Sequence, residues 1–164
     1  MPADHDREAT GFPYRAGDAI GPSPWVAVTQ AMIDQFGAAT LDPDPMHIEP
    51  EWARRHSPFG GTVAYGFLTM SLLTHLLRAA TGDVDRPEGA FINYGFDRLR
   101  LIAPVPADAH VRGTFTMREI RRTADDRELA CFACEVAIAG SDRPALVGDW
   151  LALWIPPSQI ASAQ

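Results

Sequence analysis

Thr62-Val63-Ala64-Tyr65-Gly66-Phe67-Leu68-Thr69-Met70-Ser71-Leu72-Leu73-Thr74-His75-Leu76-Leu77-Arg78-Ala79-Ala80 is apolar on almost every side. A helix without a broad polar face belongs in a protein interior. A membrane span is the rival reading, but the run is barely long enough, and Gly66, Thr69, Ser71, Thr74, His75 and Arg78 are costly in lipid. The segments downstream of this helix set the architecture. Residues near Phe91 to Ile102, His110 to Arg118, Glu128 to Ile138 and Ala145 to Ile155 have strand patterning, separated by turn-rich linkers such as Ala103-Pro104-Val105-Pro106 and Gly140-Ser141-Asp142. Successive antiparallel strands after one buried helix imply an α+β domain whose sheet wraps that helix.

Upstream, Met32, Ile33 and Phe36 mark a helix with Thr29 as N-cap and Gly37 near its stop. Pro50 to His56 predicts a short helix with proline in its first turn, ended by Ser57-Pro58 and lying over the preceding loop as a lid or wall. The first residues are charged and aperiodic, so residues 1–13 are expected as a flexible arm, 14–156 as one domain and 157–164 as a tail. The curved sheet leaves edges to cover, and pairing across a two-fold axis predicts a homodimer or a higher homo-oligomer.

Composition narrows the chemistry. The 164 residues carry a formal charge of -7, and 46% are hydrophobic, which fits one well-cored domain and disfavours nucleic acid or an anionic membrane as partner. All 14 basic residues are arginine. The absence of lysine excludes Schiff-base chemistry, a pyridoxal-phosphate anchor and a P-loop. No apolar leader precedes residue 11, so a cytoplasmic location is expected. Cys131 and Cys134 form a C-x-x-C, but Phe132, Cys134, Val136 and Ile138 alternate with Ala133, Glu135 and Ala137. That strand period sends the two sulfurs to opposite faces and predicts structural thiols, with no metal site.

The candidate site is Asp42-Pro43-Asp44-Pro45-Met46-His47, set before the start of the long helix. An aspartate and a histidine on a proline-stiffened loop can polarise one water, and the open N–H groups of a helix start can hold a developing oxyanion. The pairing suits addition of water beside a thioester carbonyl. By spacing alone, Asp42 is also what a turn or helix cap uses, and His47 a hydrogen-bonded loop residue. His75, on the long helix, is expected as a core histidine; His5, His56 and His110 read as surface.

The loop Asp42-x-x-x-x-His47, the segment from Phe59 to Leu68, and the strand Asn93-Tyr94-Gly95-Phe96-Asp97-Arg98-Leu99-Arg100 with Ala103-Pro104-Val105-Pro106 together resemble the MaoC-like hydratase/dehydratase family, in its nodulation-protein-N-like branch, from about Gly17 to Trp154. The resemblance implies the hot-dog fold, a sheet wrapped on a long central helix. It implies (R)-specific hydration of trans-2-enoyl thioesters or the reverse dehydration of 3-hydroxyacyl thioesters. Coenzyme A or an acyl carrier protein would enter as part of the substrate, with no separate cofactor. By position, Asp42 and His47 fall on the catalytic pair, and Gly66 on the glycine whose N–H binds the thioester oxygen. Thr74 falls where a small polar residue lies close to the aspartate, and Tyr65, where a histidine often stands, is placed with the substrate-binding residues.

The family pattern commonly reads Gly-Asp-x-Asn-Pro-x-His, whereas here Leu41 and Asp44 replace the glycine and the asparagine. A second carboxylate near Asp42 would favour protonation of one of them and so retune a base. A non-catalytic thioester-binding subunit of a heteromeric dehydratase is the alternative reading. A hot-dog thioesterase is a further one, opposed by the lack of any Asp or Glu from Thr62 to Ala80. Any of Arg54, Arg55, Arg98, Arg100, Arg121 and Arg122 is a candidate for coenzyme A phosphates.

Overall fold

The computed structural model describes residues 11–82 and 88–160. Residues 1–10 of the expected arm and 161–164 of the expected tail lie outside them. Helices α1 (Gln30–Thr40), α2 (Pro45–Ile48) and α3 (Pro50–His56) precede the long α4 (Gly66–Thr81), and α5 (Pro157–Ile160) closes the described chain. Strands β1 (Ala19–Ile20), β2 (Val26–Ala27), β3 (Ala90–Leu101), β4 (His110–Arg122), β5 (Glu128–Ile138) and β6 (Leu146–Ile155) form one six-stranded sheet in the order β1-β4-β5-β6-β3, with β2 also on β4. Every pairing is antiparallel.

The inward residues of β4 are those its alternation predicts: Val111, Gly113, Phe115 and Met117. The register sets Val111 opposite Ile138 and Phe115 opposite Cys134, so inward side chains meet inward side chains. A bulge between Met117 and Glu119 re-aims the strand and lets it run past Arg118 to Arg122. Helix α4 lays Leu68, Thr69, Leu73 and Leu76 on the inner face of the sheet, packing across β4 and β1. This is the hot-dog arrangement. Each fully buried leucine contributes roughly 2 kcal/mol of transfer free energy, and Leu73 and Leu76 join Phe115, Met117, Phe132 and Val136 in one core.

Several expectations are corrected. Helix α4 is buried on one face only, because the sheet supplies a single layer; Phe67, Ser71, Thr74, His75 and Arg78 are exposed on the other. His75 is therefore a surface residue rather than a core one. The arm's last residues belong to the body: the Gly11 N–H donates to Glu128 Oε2 at 2.8 Å, and Phe12 is 4% exposed, edge-on to Phe91 and Phe132. At the other end Arg127 Nε donates to Gln159 Oε1 and Gln159 Nε2 to the Asp125 carbonyl, which fastens the first turn of the expected tail. Cys134 is buried beside the core and Cys131 half-buried on the opposite face of β5. Burial pushes the Cys134 thiol up to about 12, and raises Cys131 as well, which favours the protonated thiol at both positions.

Helix α1 does not stop at Gly37. A Cβ at Gly37 would overlap the Tyr65 hydroxyl, so this glycine is where α1 approaches the start of α4, and the helix runs on to Thr40. Its terminating residue is Leu41, held at φ 58° with its N–H bonded back into the last turn. The left-handed region costs an L-residue roughly 1–2 kcal/mol, a cost glycine avoids, though its freer unfolded chain returns roughly 0.5–1 kcal/mol of that. The side chain is 88% exposed, so little packing offsets the strain. Leu41→Gly is therefore expected to raise stability by about 0.5–1 kcal/mol, read as a higher denaturant midpoint; a lower midpoint would refute the strain.

Candidate active site

Asp42 follows the left-handed residue that ends α1, and its N–H donates to the Gly37 carbonyl at 3.0 Å. The chain then turns through Pro43 into α2, capped by Asp44, whose Oδ1 accepts from the Met46 N–H at 2.8 Å. The second carboxylate thus has a local task that asparagine performs equally well, which explains the exchange. His47 sits on α2. Its Nδ1 lies 2.7 Å from the Val63 carbonyl oxygen, and since a carbonyl only accepts, Nδ1 carries the hydrogen. In the neutral ring that leaves the lone pair on Nε2, the nitrogen a reacting water needs.

Residues 62–65 lead into α4 between two supports. The Val63 N–H donates to the Met46 carbonyl at 3.4 Å and the Ala64 N–H to the Val105 carbonyl at 2.8 Å, while the Ala107 N–H donates to the Thr62 carbonyl at 3.0 Å. The same short segment that fixes the imidazole therefore becomes, three residues later, the N-terminus of α4. Gly66 is the first residue of that helix, and the first intrahelical donor is the Thr69 N–H, bonded to the Tyr65 carbonyl. The N–H groups of Gly66, Phe67 and Leu68 precede it and have no carbonyl a turn earlier to bond. They form the positive end of the helix.

Tyr65 ties these parts together. Its ring stacks on His47 with centroids 3.9 Å apart and lies against Phe36 at 5.4 Å. Its hydroxyl donates to the Asp42 carbonyl at 2.5 Å. Burial first, then the carboxylates of Asp42, Asp44 and Asp34, push its phenol above the ordinary tyrosine range, so it stays a donor. Tyr65, placed from sequence with the substrate-binding residues, is 4% exposed and packs between the loop and the helix start. Asp42 itself is exposed.

Thr74 is not brought to this place. Eight residues beyond Gly66, it is roughly 12 Å further along the helix axis, where it lines a cavity of about 180 Å³ with Phe12, Tyr14, Leu77, Phe91 and Trp150. Within one chain it lies away from the Asp42 loop. The residue that sequence reading missed is Gln30, at the start of α1, whose side chain donates to the His47 carbonyl at 2.8 Å. No local pattern marks it, because its partners lie far along the chain. The described residues contain no cluster of His, Cys, Asp or Glu arranged to hold a metal ion, and no helix among them is long and apolar enough to cross a membrane.

A sheet wrapped on one long helix, with the Asp42–His47 loop held to the segment opening that helix through Tyr65 and Val63, is the hot-dog arrangement of the hydratase/dehydratase class. The chain belongs to the MaoC-like dehydratase family, whose domain model, described as "MaoC like domain", matches residues 12–130. It is 36% identical over 149 residues to Nodulation protein N of Rhizobium leguminosarum bv. viciae, covering 91% of this chain and 92% of that protein. To 3-hydroxyacyl-thioester dehydratase Z of Mycobacterium tuberculosis (strain ATCC 25618 / H37Rv) it is 33% identical over 140 residues, 85% of this chain and 91% of that one. The solved (R)-hydratase from A. caviae shares the fold with a TM-score of 0.68 at 20% identity, over 85% of this chain and 96% of that chain.

Proposed function

We propose that this protein adds water to trans-2-enoyl thioesters with (R) stereochemistry, or removes it from 3-hydroxyacyl thioesters, the acyl group being carried on coenzyme A or an acyl carrier protein. The supporting observation is the hydrogen bond of His47 to the Val63 carbonyl, three residues before the open N–H of Gly66. In the hydration direction Asp42 takes a proton from water as the oxygen bonds to Cβ. The C=C electron pair moves toward the carbonyl, and the enolate oxygen is held by the Gly66 N–H at the positive end of α4. His47 Nε2 orients the water, then takes that proton from Asp42 and delivers it to Cα, so both groups end the cycle as they began it. Asp42 is exposed rather than buried in an ion pair, which supports chemistry over a passive binding role.

The protein is further proposed to act as a homodimer. Strand β3 pairs only with β6 among the described strands, and its other edge is open. Along it Phe91, Ile92, Tyr94, Phe96 and Leu101 are exposed, a run that a second copy would cover. The deciding experiment follows loss of conjugated-enoyl absorbance with trans-2-enoyl-coenzyme A and carrier-protein substrates of short and medium length. Turnover giving the (R)-3-hydroxyacyl product is expected, from a species that sediments at twice the chain mass. A protein that turns over none of these substrates ends the hydratase reading, and a monomer at micromolar concentration ends the dimer.

A further inference from the structure

Gln30 joins three separate stretches of chain through one carboxamide. Its Nε2 donates to the His47 carbonyl and to Asp34 Oδ1, each at 2.8 Å, and its Oε1 accepts from the Thr62 hydroxyl at 2.5 Å. The orientation of the amide follows from its partners. Carbonyl and carboxylate oxygens only accept, so the nitrogen must face them, and the oxygen is left for the hydroxyl. The base from which it reaches is rigid: Gln30 is the first residue of α1, Thr29 caps that helix through the Met32 N–H, and the Gln30 N–H donates to Asp108 Oδ1 at 3.3 Å. Thr62 is itself buried, and its carbonyl is bonded to the Ala107 N–H.

We infer that Gln30 is a positioning residue for the acid–base loop, fixing the backbone of His47 against the segment that becomes helix α4; the inference rests on the hydratase reading. Tyr65 and the Val63 carbonyl set the angle of the imidazole, but neither holds the His47 main chain. Gln30 bonds its carbonyl, complementing the Val63 N–H bond to the Met46 carbonyl, and through Thr62 refers it to the segment that opens into α4. The carboxamide bonds the His47 carbonyl and not its ring, so its effect on the imidazole passes through the His47 main chain. Gln30→Glu keeps the size and the bond to Thr62 while turning an acceptor toward two acceptors. Thr62→Val removes the hydroxyl from which the amide oxygen accepts.

Displacement of a reacting group by about 1 Å costs up to roughly a hundredfold in rate. Gln30→Glu is expected to lower kcat roughly ten- to a hundredfold with KM little changed, and Gln30→Leu to do the same more mildly. Thr62→Val should lower kcat in the wild-type background and add nothing in Gln30→Leu. Equal kcat in wild type and all three variants, or fully independent effects of Gln30→Leu and Thr62→Val, would overturn the inference. A readout that needs no turnover is the pair of ring ¹⁵N signals of His47. Wild type is expected to show a single tautomer with Nδ1–H, and Gln30→Glu a mixture. If the wild-type protein hydrates no thioester the hydratase reading fails, and unchanged ring signals in Gln30→Glu then refute the positioning separately.

Discussion

Asp42→Asn is expected to lower kcat for enoyl-thioester hydration by roughly 10³-fold, within the range general acid–base groups supply, while the melting temperature stays close to wild type. The two halves of that result come from different atoms of one residue. The loop is anchored by the Asp42 backbone, whose carbonyl accepts from Tyr65 and whose N–H donates to Gly37. The side chain is exposed, and an amide of the same shape keeps its volume but cannot take a proton. His47→Gln should also abolish turnover, but it removes the ring stacked on Tyr65 as well and so mixes chemistry with packing. The isosteric aspartate variant is the cleaner probe. Retained turnover in Asp42→Asn would remove the proposed base.

Gly66→Pro carries the second large effect. Proline at this position deletes one N–H and leaves the rest of the helix intact, because Gly66 is the first helical residue, where proline is well tolerated. Tyr65 already has ψ 137°, the extended conformation required before proline. A Cβ at this position would first meet the tip of Leu101, a flexible and exposed side chain. Gly66→Ala meets the same tip while keeping the N–H, and so serves as the control. Loss of one oxyanion donor typically costs ~10²–10³ in kcat, and that is the expected gap between the proline and alanine variants. Equal kcat in the two, both folded by circular dichroism, would show that this N–H does not touch the reacting oxygen.

The parts of the fold legible in the sequence are those whose pattern is local. Helix α4 and strands β3 to β6 are long enough for their periodicity to stand out, and α3 has the bounds its proline and Ser57-Pro58 suggest. Strands β1 and β2 have two residues each and no pattern of their own, since β4 decides where they pair. Gly37 resembles a helix stop until Tyr65 is known to occupy the space beside it. Phe12 is hidden by charged neighbours, and its partners Phe91 and Phe132 are remote in sequence. Of the candidate site, Asp42, His47 and Gly66 are proposed from the sequence because one loop and one helix start carry them. The inward turn of Tyr65, the distance of Thr74 and the reach of Gln30 depend on how α1 lies against α4, which no spacing encodes.

The loop is moored at main-chain atoms: the carbonyl of Asp42 to Tyr65, the carbonyl of His47 to Gln30, and the carbonyl of Val63 to the far side of the imidazole. None of these gains or loses a proton in the proposed cycle. The carboxylate and Nε2 can therefore change charge within each turnover without slackening what holds them. Catalysis in such a site needs no mechanical stroke, and the free and substrate-bound loops should superimpose.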